Sequence, residues 1–198
     1  MKRQINQSFI PFILLIGLCH AALAQTYPTK PIRFIAPFVP GAGTDITART
    51  VAQKLTERLG QQVIVDNRPG ATGSIGVDIT AKAIPDGYTM CLISASHSVS
   101  AATSPKLPYD LTKDLAGISQ MTALAYFVVV HPAKVPRAIV NKLSAEVSAS
   151  VNSPDIAQRF LADGSVVVGS TPEQFTAHVR SEIAKWRKLV KEAKLQLD

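Results

Sequence analysis

Apolar positions repeat with two different periods along the chain, and the two periods take turns. "PIRFIAP" sets Ile32, Phe34 and Ala36 at every second position, which predicts a strand. The next segment carries Ala48, Val51, Ala52, Leu55 and Leu59 along one side of a helix, and Gly60 offers a left-handed stop. "QQVIVDN" predicts a second strand, "RPGATG" a loop, "SIGVDITAKAI" a second helix ending before Pro85, and "YTMCLIS" a third strand. A β-α-β-α-β order predicts a parallel sheet covered by helices.

The later half is less regular. "ASHSVSAATSPKLPYDLTKD" is polar and is expected to be loop, followed by an apolar strand in "LAYFVVVHPA". "VPRAIVNKLSAEVSASV" predicts a helix with Pro136 near its first turn and Ile139, Val140, Leu143, Val147 and Val151 facing inward. A short helix should follow Pro154 and stop at Gly164, and "SVVVG" should be a strand. The longest helix begins near Thr171 and Pro172, with Phe175, Val179, Ile183, Trp186 and Val190 as its buried stripe. Pro132 and Pro136 predict a turn over residues 131–136, because each restrains the residue before it.

The first residues have a different character. Lys2 and Arg3 precede a short apolar run from Phe9 to Cys19 and then Ala22-Leu23-Ala24, the layout of a cleavable export signal. The run is short for a membrane span, and Leu18 before Cys19 fits a lipid attachment site poorly. Residues 1–24 are therefore expected to be a signal peptide, and residues 25–198 one α/β lobe exported to a bacterial periplasm. Beyond the signal Cys91 is the one cysteine, on an apolar strand, where it serves as a small hydrophobe. The formal net charge is +7, of which Lys2 and Arg3 supply two. The rest are scattered, with many on the last helix, which argues against nucleic acid as a partner.

Chemistry-bearing residues gather at one place. "PGAGTD" lies where the first strand gives way to a helix, and open parallel sheets bind ligands at the carboxyl ends of their strands. A helix N-terminus offers free N–H groups and partial positive charge to a carboxylate or phosphate. Gly41 and Gly43 let backbone amides approach a ligand, and Pro37 and Pro40 stiffen the bend. Thr44 or Asp45 can cap the helix; Asp45 can alternatively accept from a ligand amine or hydroxyl. Ser94, Ser96 and His97 follow the third strand and so lie at the same end of the sheet. Glycine spacing in "GAGTDI" and "GATGSIG" matches dinucleotide motifs weakly, and no lysine-bearing phosphate loop is present. His97, His131 and His178 lack metal-ligand spacing, and no G-x-S-x-G elbow occurs. No metal and no cofactor are expected. An alternative is a small exported α/β hydrolase using Ser96 and His97.

"YPTKPIRFIAPFVPGAGTDITAR" and "GQQVIVDNRPGATGSIGVDITAKAIPDGYTMCLIS" resemble the tripartite tricarboxylate transporter receptors, the Bug-type periplasmic solute-binding proteins. "VPRAIVNKLSAEV", "SPDIAQRFLADG" and "STPEQFTAHVRSEIAKWRKLVKEA" resemble them too. The resemblance implies one lobe of a periplasmic binding protein type II-like fold, with a mainly parallel sheet flanked by helices. It implies a receptor that holds a small carboxylate and presents it to membrane permease subunits. The family's P-G-G-x-x-D loop falls on Pro40, Gly41, Ala42, Gly43, Thr44 and Asp45, with Ala42 in place of a glycine. Phe38 beside it, and Ser94, Ser96 and His97, complete the implied ligand set. Family members continue into a second lobe whose segments are missing here. The chain is therefore expected to comprise an N-terminal half (25–127), a hinge-like splice (128–136) and C-terminal helices with a strand (137–198). Cleavage after Ala24 should leave Gln25 as the mature N-terminus. Mass spectrometry of a periplasmic fraction tests this, and recovery of only the full-length, membrane-held chain would contradict it.

Overall fold

The computed structural model describes residues 27–104, 106–122, 126–130, 135–162 and 164–192. The expected signal peptide and all of the expected turn at 131–136 except Val135 and Pro136 lie outside them. Five strands form one sheet: β1 (Ile32–Ala36), β2 (Val63–Asn67), β3 (Thr89–Ser94), β4 (Ala116–Gln120) and β5 (Tyr126–Val130). Among the described residues six α-helices accompany them: α1 (Gly43–Leu59), α2 (Ser74–Ala81), α3 (Ala95–Thr103), α4 (Arg137–Val151), α5 (Pro154–Ala162) and α6 (Pro172–Glu192). The strand order is β2-β1-β3-β5-β4.

The sheet is mixed, not mainly parallel. β1 pairs in parallel with β2 and β3, Phe34 facing Val65 and Met90. β5 then enters antiparallel between β3 and β4. The parallel half is thus β2-β1-β3, and it is the half that the alternating β-α pattern foretold. β4 was not anticipated. Its sequence, "AGISQ", is short and carries polar Ser119 and Gln120, whose burial comes from elsewhere. Ser119 Oγ donates to the Ser170 carbonyl at 2.7 Å, and Gln120 N–H donates to Ser170 Oγ at 2.8 Å.

That same segment explains a second departure. "SVVVG" makes a single antiparallel bridge, Val167 to Thr122, and no strand. Gly164 and Gly169, at φ +73° and +59°, bend the chain at both ends of it. Val168 N–H still donates to the Met121 carbonyl at 2.9 Å and Ser170 N–H to the Gln120 carbonyl at 3.1 Å, so the segment runs beside β4 without forming a regular ladder. A third departure is α3. Its serines suggested loop, but Ser94 caps it, and His97 returns a bond to the Ser94 backbone, closing a capping box.

Alternation along the central strands fills both faces. Ile32, Phe34, Met90, Leu92, Val128 and Val130 face α1 and α4, where Val51, Leu55, Leu143 and Val147 are fully buried. Ile35, Cys91, Ile93 and Val129 face α2 and α6, meeting Val77, Phe175, Val179 and Ile183. The Cys91 thiol is fully enclosed, and burial pushes it up to about 12. Gly117 is the contact point for α6: the Phe175 ring covers it so closely that any Cβ there would collide. α6 itself starts as foreseen, with Thr171 Oγ1 accepting from Gln174 N–H and Gln174 Oε1 accepting from Thr171 N–H. Trp186, expected in the buried stripe, is only half-buried, with Lys185 5.6 Å from its ring centre. The anchor of α6 is therefore Phe175, in the first turn of the helix, where it meets β4. Phe175→Ala should destabilise the fold by about 3–5 kcal/mol, the range for deleting a buried aromatic ring. Trp186→Ala should cost well under half of that. Denaturant midpoints measure both, and equal losses would show that α6 is docked through its far end instead.

Candidate functional site

Strands β1, β2 and β3 run in parallel, so their carboxyl ends share one edge, and the helices or turns that follow begin there. After β1 the chain passes through Phe38 and Pro40 to Gly41, whose φ of +82° is the left-handed value that a glycine accepts without strain. α1 then starts at Gly43, with Ala42 as its N-cap and no side-chain cap. Neither Thr44 nor Asp45 caps the helix as expected. Asp45 does something else. Its carboxylate is 3% exposed and accepts from Gly41 N–H at 2.8 Å, from Asn67 Nδ2 at 2.9 Å and from Arg49 Nε at 3.1 Å. Asn67 Nδ2 also donates to the Phe38 carbonyl at 3.1 Å, and Arg49 Nη2 donates to Asn67 Oδ1 at 3.0 Å.

Asp45 is thus saturated by the protein and is not aimed at a ligand. It pins the bend after β1 to the end of β2. Burial by itself would raise its pKa, but bonds from Arg49, Gly41 and Asn67 outweigh that and hold it below the ordinary carboxylate value. The consequence for the loop is specific. Gly41 N–H is taken by Asp45, and Ala42 N–H by the Val39 carbonyl at 3.2 Å. The amides left to receive an anion are those of the first turn of α1, Gly43, Thr44 and Asp45, which have no carbonyl one turn behind them inside the helix. Gly43 is exposed, and Thr44 Oγ1 is buried there without a hydrogen-bond partner.

The second wall comes from β3 and α3. Ser94 Oγ lies 2.8 Å from Ser96 Oγ, and His97 Nδ1 accepts from Ser94 N–H at 3.1 Å. With Nδ1 accepting, the proton of the neutral ring sits on Nε2. His97 is fully buried; burial lowers its pKa, offset in part by the Ser94 and Gly73 backbone. The ring is therefore neutral at pH 7, and its Nε2 lies buried against Gly73. Phe38 meets it edge-on, ring centres 5.8 Å apart. His97 contacts Ser94 and not Ser96, so the serine–histidine pair of the hydrolase alternative does not form.

The third wall was missed. After β2 the chain crosses Gly70, Ala71, Thr72 and Gly73, all at positive φ. Ala71 and Thr72, at +46° and +54°, hold a conformation that costs a β-branched residue in particular. Gly73 lies against the others: a Cβ on it would fall 2.5 Å from His97 Nε2 and 3.3 Å from Phe38 Cζ. The three post-strand segments therefore meet around Phe38, Gly73 and His97. Glycines in "RPGATG" were the signal, legible as a backbone device though weak as a nucleotide motif. Among the described residues no group of three or more His, Cys, Asp or Glu side chains could hold a metal ion.

A three-layer α/β lobe with an open parallel edge, where the first turns of helices meet, is the fold seen in a solved periplasmic binding protein, BugD, at a TM-score of 0.78 and 18% identity. Solved structures share the fold. MatC from Rhodopseudomonas palustris with bound malate superposes at a TM-score of 0.77, with 17% identity, 83% of this chain and 100% of that chain covered. R. palustris Rpa4515 with adipate gives 0.78, with 18% identity and coverages of 85% and 99%.

Sequence narrows the class. Residues 47–134 match the model of the tripartite tricarboxylate transporter family receptor. Protein BugT of Bordetella pertussis is 42% identical over 123 residues, which are 61% of this chain and 38% of that protein. A related protein of Bordetella bronchiseptica is 41% identical over 119 residues, 60% and 36% of the two chains. The chain thus spans little more than a third of the length of the curated relatives it matches.

The Asp45 network carries a prediction. A carboxylate with a lowered folded pKa stabilises above its ordinary value near pH 4 and loses that contribution as pH falls through the folded value. Asp45→Asn should destabilise the protein by about 1–3 kcal/mol at neutral pH, the cost of a buried, charge-assisted network losing its centre. The gap between wild type and variant should shrink in acid below about pH 4. A gap that stays constant in urea titrations from pH 7 to pH 3 would contradict the assignment.

Proposed function

We propose that the chain is a one-lobed periplasmic receptor for a small carboxylate, of the tripartite tricarboxylate transporter type, whose partners are membrane permease subunits. The observation that carries this is the edge itself. Gly43, Thr44 and Asp45 amides form a short anion cradle, and the His97 ring, Ser94 and Ser96 stand on the segment beside it. Pro40, Gly41 and Ala42 shape the bend and hold it for the cradle. Ala42 stands where the family's loop has a glycine, and the bend is intact with it, because Gly41 takes the left-handed turn and Ala42 stays extended. Malate and adipate, bound by MatC and Rpa4515, set the size and charge of the ligand class. The hydrolase alternative lacks its nucleophile–base contact, and no enzymatic role is proposed.

The family match ends at residue 134, inside the 128–136 stretch read as a splice between a hinge strand and a C-terminal helix. β5 runs into that stretch, α4 follows it, and both belong to the same sheet-and-helix body, which supports a single lobe over residues 25–198 after removal of a signal at 1–24. No helix among the described residues is long and apolar enough to cross a membrane.

One lobe sets the affinity. An exposed helix N-terminus contributes roughly 0.3–1 kcal/mol per charge, and solvent screens it. A millimolar dissociation constant corresponds to about 4 kcal/mol, so binding should be millimolar at best. Gly43→Glu tests the site with little risk to the fold. An acidic residue suits the first turn of a helix, and Gly43 is exposed. The new carboxylate would occupy the cradle and repel the ligand. Calorimetry with malate should show weak binding by the wild type and none by the variant. Equal heats from both proteins would place the ligand elsewhere.

A further inference from the structure

We propose that a second anion site, suited to an α,ω-dicarboxylate with an apolar chain, lies in the cavity between α6 and the segment 101–113. The cavity holds about 460 Å³, within the size of small-ligand pockets. Its α6 wall reads charge, apolar, charge: Arg180, then Ile183 and Ala184, then Arg187. Arg180 and Arg187 are seven residues apart, close to two full turns, so they share one face of the helix roughly 10 Å apart. Leu107 and Leu111 line the opposite side.

Both guanidinium groups are available. Among the described residues neither forms an ion pair, while the acids of α6 are each committed to another cation. Glu173 pairs with Arg137, Glu182 with Lys185 and Glu192 with Lys188. Asp110, the acid of the lining, is also engaged. It accepts from Thr112 Oγ1 at 2.7 Å and pairs with Lys113 at 3.1 Å, which offsets its charge. Two unpaired guanidinium groups separated by an apolar strip match a ligand with a carboxylate at each end and methylenes between. Such groups take carboxylates in paired hydrogen bonds. A monocarboxylate would satisfy one end only.

The cavity is separate from the carboxylate cradle. Ser94 and His97 stand at the N-terminal end of α3, whereas Ala101 and Ser104, at its other end, line the cavity. The inference therefore does not rest on the proposed receptor function, and each can fail alone.

The test is an amide NMR titration of the mature protein with suberate, with octanoate and sodium sulfate as controls. The wild type is compared with Arg180→Gln/Arg187→Gln, which alters two exposed side chains. Saturable shifts are expected at amides of residues 101–113 and 180–187, weaker with octanoate, with a dissociation constant raised roughly tenfold or more in the variant, the loss of a charge-assisted hydrogen bond. Any of three results would overturn the proposal: shifts confined to residues 43–45 and 94–97 or absent altogether, shifts unchanged in the variant, or the same shifts from sulfate at equal concentration.

Discussion

Asp45 sits almost wholly out of water with its charge intact, and the carboxyl edge of the sheet is organised around it. A buried carboxylate is tolerated only when its lone pairs are filled. Here Gly41, Arg49 and Asn67 fill them, and they come from three places: the bend after β1, the next turn of α1, and the end of β2. The interaction therefore fixes the angle at which α1 leaves the sheet. It also consumes Gly41 N–H, so the residues of the bend divide into two groups. Pro40, Gly41 and Asp45's side chain build the bend, and the first-turn amides from Gly43 onward are the ones the proposed function assigns to the ligand.

Other ion pairs contribute less. Lys82–Asp78 and Lys188–Glu192 are exposed pairs on helix surfaces, each worth ~0.5 kcal/mol or less in water. Burial on both faces of the sheet supplies the larger stabilisation, and Phe175 over Gly117 ties the C-terminal helix to it. Scaffold and edge are thus separately built. Apolar alternation holds the layers, while one polar network and a run of left-handed residues, Gly70 to Gly73, shape the mouth.

The parallel half of the fold was legible because its signals are local. Ile32, Phe34 and Ala36 alternate, α1 shows its apolar side, and Gly60 ends it in the left-handed conformation at φ +67°. What was not legible depends on distant partners. β4 is a strand because it pairs antiparallel with β5, with Ser170, fifty residues on, binding its polar end, and "SVVVG" is not one because glycines bend it at both ends. α3 hid behind its serines, since a histidine closing a capping box is not the usual Glu or Gln signal. At this edge the sequence reading and the structure both set the loop after β1 beside the loop after β3, but the partners of Asp45 were not legible, because Asn67 and Arg49 reach it only in three dimensions.

A crystal structure of the mature protein with malate addresses the central claim most directly. The account predicts a malate carboxylate oxygen about 2.7–3.1 Å from the Gly43 or Thr44 amide nitrogen, a hydrogen-bonding distance, with the Asp45 network unchanged beneath it. A carboxylate bound at another edge of the sheet, or one that displaced Gly41 from Asp45, would contradict it.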